Sequence, residues 1–152
     1  MPLFEKRTRI SAPPESVFAF HERPDALELL TPDFANARVI EKTPGIKTGA
    51  KVVLEMRIGP VKQRWVAEHT AYEQGRMFQD RQVSGPFSKW LHTHTIEPDG
   101  EGGSWLIDSV DYELPLGALG QFFGGAFVRR RLSQMFEFRH RVTKQICEGA
   151  PK

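Results

Sequence analysis

The stretch LGQFFGGAFVRRRLSQMFEFRHRVTKQIC, residues 119–147, contains no proline and carries a helical period. Leu132, Met135, Phe136, Val142 and Ile146 recur at three- and four-residue steps, which places them on one face. Phe122, Phe123, Ala126 and Phe127 continue that apolar face toward the N-terminus. Gly124 and Gly125 each weaken the first turns by about 1 kcal/mol relative to alanine. The reading is one long helix with a loose or kinked start.

Upstream, the period changes to two. Residues 3–11 alternate as a first strand, and six further candidate strands occupy 35–42, 50–58, 61–72, 76–84, 88–97 and 104–114. Short turn signals such as Gly59-Pro60, Gly85-Pro86 and Asp99-Gly100 separate them, which favours an antiparallel meander. Between the first and second strands, Pro14 opens a short helix carrying Val17, Phe18 and Phe20. Pro24 then interrupts, and Asp25–Leu30 makes a second short helix. A seven-stranded sheet has one face to cover, and the long helix is the only element large enough. The expected class is α+β, a curved antiparallel sheet wrapped on a C-terminal helix with a cavity between them.

Composition narrows the function. A chain of 152 residues, 39% apolar with eleven phenylalanines, is expected to form a single domain over 1–152. A formal charge of +2 does not make nucleic acid a partner. One cysteine, Cys147, excludes an internal disulfide framework and multi-cysteine metal sites, and with no base beside it the thiol is read as inert. No apolar run resembles a signal peptide or a membrane span, so the expectation is a soluble, cytoplasmic protein.

The segment SKWLHTHTIE, residues 88–97, carries the chemistry. On a strand, Trp90, His92, His94 and Ile96 share one face, and Leu91, Thr93 and Thr95 the other. Antiparallel neighbours would present Phe78, Asp80 and Gln82 on one side and Leu106, Asp108, Val110 and Tyr112 on the other. Three chemistries fit. The groups can form a satisfied polar network lining a pocket, since unpaired buried polar groups cost about 1–3 kcal/mol. They can work as acid and base, with a carboxylate orienting His92 or His94 and Tyr112 donating to an oxyanion. Or both histidines can turn toward one metal ion, with Asp80, Asp108 or His69 as a third ligand.

The run 78–120 resembles a bacterial ligand-binding branch of the SRPBCC superfamily, the START/Bet v-type helix-grip proteins. The matching pattern is Phe78-x-Asp80-x-Gln82, Gly85-Pro86-Phe87, Trp90-x-His92-x-His94, Asp108-x-Val110-x-Tyr112 and Leu114-Pro115-x-Gly117. The chain departs from it at His69, where such proteins often carry an aliphatic residue. Element order agrees over 3–148. Relatives include polyketide cyclases and aromatases, plant pathogenesis-related ligand binders and START-type coenzyme Q-binding proteins. The resemblance implies a helix-grip fold that binds a hydrophobic or aromatic small molecule, with no cofactor and no resident metal.

The expected polar end of the cavity is Asp80, Gln82, His92, His94, Asp108 and Tyr112. Its wall would include Met56, Phe78, Trp90, Val110, Phe123, Phe127 and Met135. An alternative is a cyclase or dehydratase acting on a polyketide-type substrate through His92, His94, Asp108 and Tyr112. A third reading is a lipid- or membrane-associated interaction module, drawn from the basic runs 129–131 and 139–141. Because the apolar helix face is needed for the sheet, those arginines are expected to form the solvated back.

Overall fold

The computed structural model of the chain describes residues 3–58 and 60–149. Seven strands form one antiparallel sheet: β1 Leu3–Ile10, β2 Ala37–Lys42, β3 Lys51–Ile58, β4 Val61–Glu73, β5 Met77–Ser84, β6 Lys89–Pro98 and β7 Ser104–Glu113. Helices α1 (Pro14–His21) and α2 (Ala26–Leu29) follow β1, and α3 (Gly117–Cys147) ends the fold. Each of these elements matches the sequence pattern. A 3-10 turn at Asp33–Ala35 has no counterpart in it, and α3 starts two residues earlier than the periodicity indicates.

The strand order is β1-β7-β6-β5-β4-β3-β2. β1 is one edge, α1 and α2 carry the chain to the opposite edge, and the meander β2 to β7 returns. Bulges bend the sheet where its register slips, at Val39/Glu41 against β3, at Val66/Ala67, where Val83 of β5 is the extra residue, and at His69/Ala71 on β4. The last has a further effect. It leaves Thr70 as the extra residue, so the inward set on β4 changes from Trp65, Ala67 and His69 to Tyr72, which packs on Phe18.

The core lies under the two helices that touch the sheet closely. Helix α3 packs on β1 and β7, where Phe4, Val110, Tyr112, Leu132 and Phe136 are buried together. Helix α1 closes the other end with Val17 and Phe18 against Ile10, Phe78, Ile96 and Leu106. Burying a large side chain of this kind is worth roughly 1.5–3 kcal/mol. Because α3 sits directly on β1 and β7, the open space between helix and sheet is displaced toward β3 to β6.

Helix α3 does not use its whole apolar face. Phe122, Phe123 and Phe127 are 81%, 77% and 68% exposed, and Leu116 and Leu119 beside them are exposed too. This corrects the expectation that the sheet needs the full stripe. Arg129, Arg130, Arg131 and Arg141 are exposed, as a solvated back requires, yet several of the helix arginines also hold backbone carbonyls. Arg129 donates to the Leu3 carbonyl, Arg131 to Phe34 and Arg139 to Leu30, tying the helix to β1, the 3-10 turn and α2.

Candidate functional site

A cavity of about 940 Å³ lies between α3 and the central strands. Its apolar wall includes Leu54 and Met56 of β3, Trp65 of β4, Phe78, Trp90 and Met135. Trp65, Phe87 and Trp90 pack edge-on or tilted, with Trp65 and Trp90 centroids 4.9 Å apart. Asp80, His92, His94, His69 and His21 form a polar stretch of the same wall, and Arg139 adds a guanidinium from the helix side.

The strand alternation behind this arrangement is strict on β6, where Trp90, His92, His94 and Ile96 are buried. Register places His92 opposite Asp80 and Val110, and His94 opposite Phe78 and Asp108. The inward face is the one the spacing indicates. On the opposite face, Thr93 accepts from Gln79, whose carbonyl in turn accepts from Thr70.

Asp108 is the hub. It is 3% exposed and is surrounded by three imidazoles. His92 Nε2 donates to Oδ1 at 2.7 Å, and His94 Nδ1 stands 2.9 Å from the same oxygen. His140 Nε2 of α3 donates to Oδ2 at 2.6 Å, while its Nδ1 meets Thr8 Oγ1 of β1 at 2.7 Å. Asp80, on the cavity wall, lies 3.3 Å from His94 Nε2 and 3.8 Å from His92 Nδ1. The His94 ring stacks on Phe78 at 3.9 Å between centroids.

These contacts set the protonation. Burial disfavours an ionised Asp108, yet His94, His140 and His92 overcome it and hold the carboxyl well below its ordinary range. Asp80 is lowered against burial in the same way, chiefly by His94. Burial acts to lower His94, but Asp108 and then Asp80 outweigh it and raise the pKa. His92 moves down, through burial and the neighbouring His94. Burial and His94 push His21 down to about 4, although its Nδ1 reaches the Val17 carbonyl. Of the pair, His94 is thus the more basic ring, seated between two carboxylates.

Of the residues expected at the site, Met56, Phe78, Asp80, Trp90, His92, His94, Phe127 and Met135 border the cavity. The others do not. Gln82 spends its amide on the backbone of Phe87, clasping the β5–β6 hairpin. Val110 and Tyr112 are sealed beneath α3, and Asp108 sits behind the histidines. Phe123 points to solvent. With Tyr112 1% exposed and off the wall, its expected role as an oxyanion donor to a cavity-bound substrate has no geometric basis. Cys147 is half-buried and its thiol is pushed up to about 11 by burial.

Three participants escaped the sequence reading: His21, Arg139 and His140. His140 extends the line Leu132, Phe136, Thr143 on the buried face of α3, and Arg139 continues Val128, Leu132, Met135 toward the cavity. The four-residue steps were visible, but charge in the run Arg139-His140-Arg141 masked them.

The sequence matches the family described as polyketide cyclase/dehydrase and lipid transport over residues 10–147. The chain belongs to this family. Among curated proteins none matches. Solved structures agree on the fold of this SRPBCC-type family. A protein from Thermus thermophilus shares 16% identity with a TM-score of 0.76, covering 99% of this chain and all of its own. One half of the di-domain ARO/CYC StfQ from the steffimycin biosynthetic pathway aligns over 96% of this chain and 50% of its own, at 13% identity and a TM-score of 0.74. Norcoclaurine synthase from Thalictrum flavum, solved with dopamine and hydroxybenzaldehyde, aligns over 99% and 89% at 12% identity and 0.72.

Proposed function

We propose that this polyketide cyclase/dehydrase and lipid transport family member binds a hydrophobic or aromatic small molecule between its sheet and α3. The observation that carries the reading is the cavity itself: about 940 Å³, walled largely by aromatic and aliphatic side chains, with the Asp80, His92 and His94 group on one wall and charged residues such as Arg23, Lys42, Arg57 and Arg131 elsewhere in its lining. That volume lies in the range of small-molecule sites, where a few placed polar groups orient an otherwise apolar ligand. Trp65, Trp90 and Phe78 offer the apolar surface, and Asp80, His92, His94 and Arg139 offer the polar contacts.

Native mass spectrometry of the purified protein, compared with its denatured mass, tests retention of a lipophile. Displacement of anilinonaphthalene sulfonate gives an affinity, and Ala67→Trp supplies the control, because Ala67 lies on the cavity wall of β4. Binding should fall at least tenfold with the fold intact. Unchanged probe affinity in Ala67→Trp would place the ligand elsewhere.

A second reading, cyclase or dehydratase chemistry on a polyketide-type substrate, is supported by the orientation of His92 by Asp108 on the cavity wall. A carboxylate-oriented imidazole is a competent general base or acid near neutral pH. Loss of turnover in His92→Gln, with probe affinity retained, would support this chemistry; equal turnover would refute it.

A further inference from the structure

The chain has five histidines, and none is more than 8% exposed. Four of them, His21, His69, His92 and His94, border the cavity, and His140 meets the fourth through Asp108. The contacts in this cluster fall into two groups. Those to Asp108 are tight, at 2.6–2.9 Å. Those to Asp80 are slack: His94 Nε2 at 3.3 Å and His92 Nδ1 at 3.8 Å, the latter beyond hydrogen-bond range.

The tight group fixes the rings. With Asp108 facing His92 Nε2 and His94 Nδ1, each neutral imidazole puts its proton there and its lone pair on the opposite nitrogen. Those nitrogens, His92 Nδ1 and His94 Nε2, stand 3.8 and 3.3 Å from Asp80 Oδ2, and one ligand atom from each of the three residues lies within 4.8 Å of the others. Three donor atoms facing one another need a positive centre between them, either a proton on His94 Nε2 directed at Asp80 or a metal ion in that proton's place.

We propose that Asp80, His92 and His94 bind a divalent first-row transition-metal ion, with Asp108 as the positioning carboxylate behind both imidazoles. Metal-ligating histidines typically give their second N–H to such a carboxylate, which fixes the tautomer and aims the ring. Tetrahedral bonds of about 2.0–2.1 Å place ligand atoms roughly 3.3 Å apart. The 3.3 Å separation already matches, and the 3.8 Å one closes as the His92 ring, now 3.7 Å from His94 between centroids, swings away from it toward Asp80. Two imidazoles and one carboxylate are borderline donors suited to zinc, cobalt, nickel or ferrous iron. All three ligands border the cavity, so a further coordination position opens to water or to an oxygen of a bound molecule. His69, register partner of Asp80, borders the same wall with its buried Nδ1 lacking a hydrogen-bond partner.

The site does not depend on what occupies the apolar part of the cavity, and its test needs no organic ligand. Tag-free, chelator-treated protein is titrated with Co²⁺ and followed by visible d–d absorption. The expected result is one equivalent bound, with the band removed by one equivalent of Zn²⁺. Asp80→Asn and His94→Gln should each weaken Co²⁺ at least tenfold, while Asp111→Asn on the outer face leaves it unchanged. Near-UV circular dichroism reports the fold of each variant, and if His94→Gln loosens the cluster, Asp80→Asn decides. Absence of a d–d band at millimolar Co²⁺, or affinity unchanged in Asp80→Asn, overturns the proposal.

Discussion

Asp108→Asn removes a negative charge from the centre of the histidine cluster while nearly preserving volume. The amide can keep its oxygen toward His92 and His94 and turn its NH₂ toward His140. His140 must then move its proton to Nδ1, where Thr8 Oγ1 at 2.7 Å accepts it. The packing survives, but three charge-assisted contacts of 2.6–2.9 Å become neutral ones. Bonds to charged groups contribute roughly 1.5–3 kcal/mol against about 0.5–1.5 for neutral pairs, a difference of about 1 kcal/mol each. The expected loss is about 3 kcal/mol, a large share of the 5–15 kcal/mol typical of a domain. Urea unfolding followed by tryptophan fluorescence measures it. Asp111→Asn is the internal control, because Asp111 meets Lys89 at 3.0 Å on a partly exposed face and should cost at most about 1 kcal/mol. If Asp108→Asn costs no more than Asp111→Asn, the charge on Asp108 does not hold the cluster.

The remaining predictions concern pH, ligand charge and the helix. Because the folded-state pKa of His21, about 4, lies below its ordinary 6.5, the unfolded chain takes up the proton first as pH falls. His21 therefore contributes full stability above about pH 6.5, losing it progressively down to about pH 4, by about 3 kcal/mol in total; wild type and His21→Gln compared by urea unfolding across that window should converge in slope only outside it. Arg139 has no carboxylate within salt-bridge distance among the described residues and spends Nε on the Leu30 carbonyl. Calorimetry should show Arg139→Leu weakening 2-naphthoate about tenfold while leaving naphthalene-2-methanol within about threefold. Phe122→Ala with Phe123→Ala should change unfolding free energy by less than about 1 kcal/mol, whereas Phe136→Ala, 1% exposed, should cost about 3–5.

The fold was legible because two signals agreed along the chain: period-two strands punctuated by turn residues, and a proline-free helix long enough to cover them. The histidine face was legible for the same reason, since alternation on β6 runs unbroken from Trp90 to Ile96. Depth was not. Alternation places Val110 and Tyr112 on the inner face but cannot say that α3 lies directly on them. Nor does it distinguish cavity wall at His92 from the layer behind it at Asp108. On the helix, chemistry misled where geometry would not: His140 and Arg139 are polar residues on inward lines, and Phe123 is an apolar residue on an outward one. The bulge at Thr70 has no composition signal at all, because one extra residue shifts side-chain parity without changing the pattern on either side.

The place of β1 at the sheet edge bears on how the chain reaches this structure. Its strand partner is β7, about a hundred residues later, with Leu3 opposite Asp111 and Ile10 opposite Ser104. The meander from β2 to β7 closes through short hairpins, each cheap in loop entropy, whereas docking β1 closes the largest loop in the sheet. Helix α3 packs on that same pair of strands and emerges last. During synthesis, at about 5–20 residues per second, Phe4 and Ile10 wait several seconds for the strand and helix that bury them. The edge pairing is thus the slow, non-local step of folding, and a nascent chain stalled before β7 exposes β1 as an unpaired strand to whatever else is near.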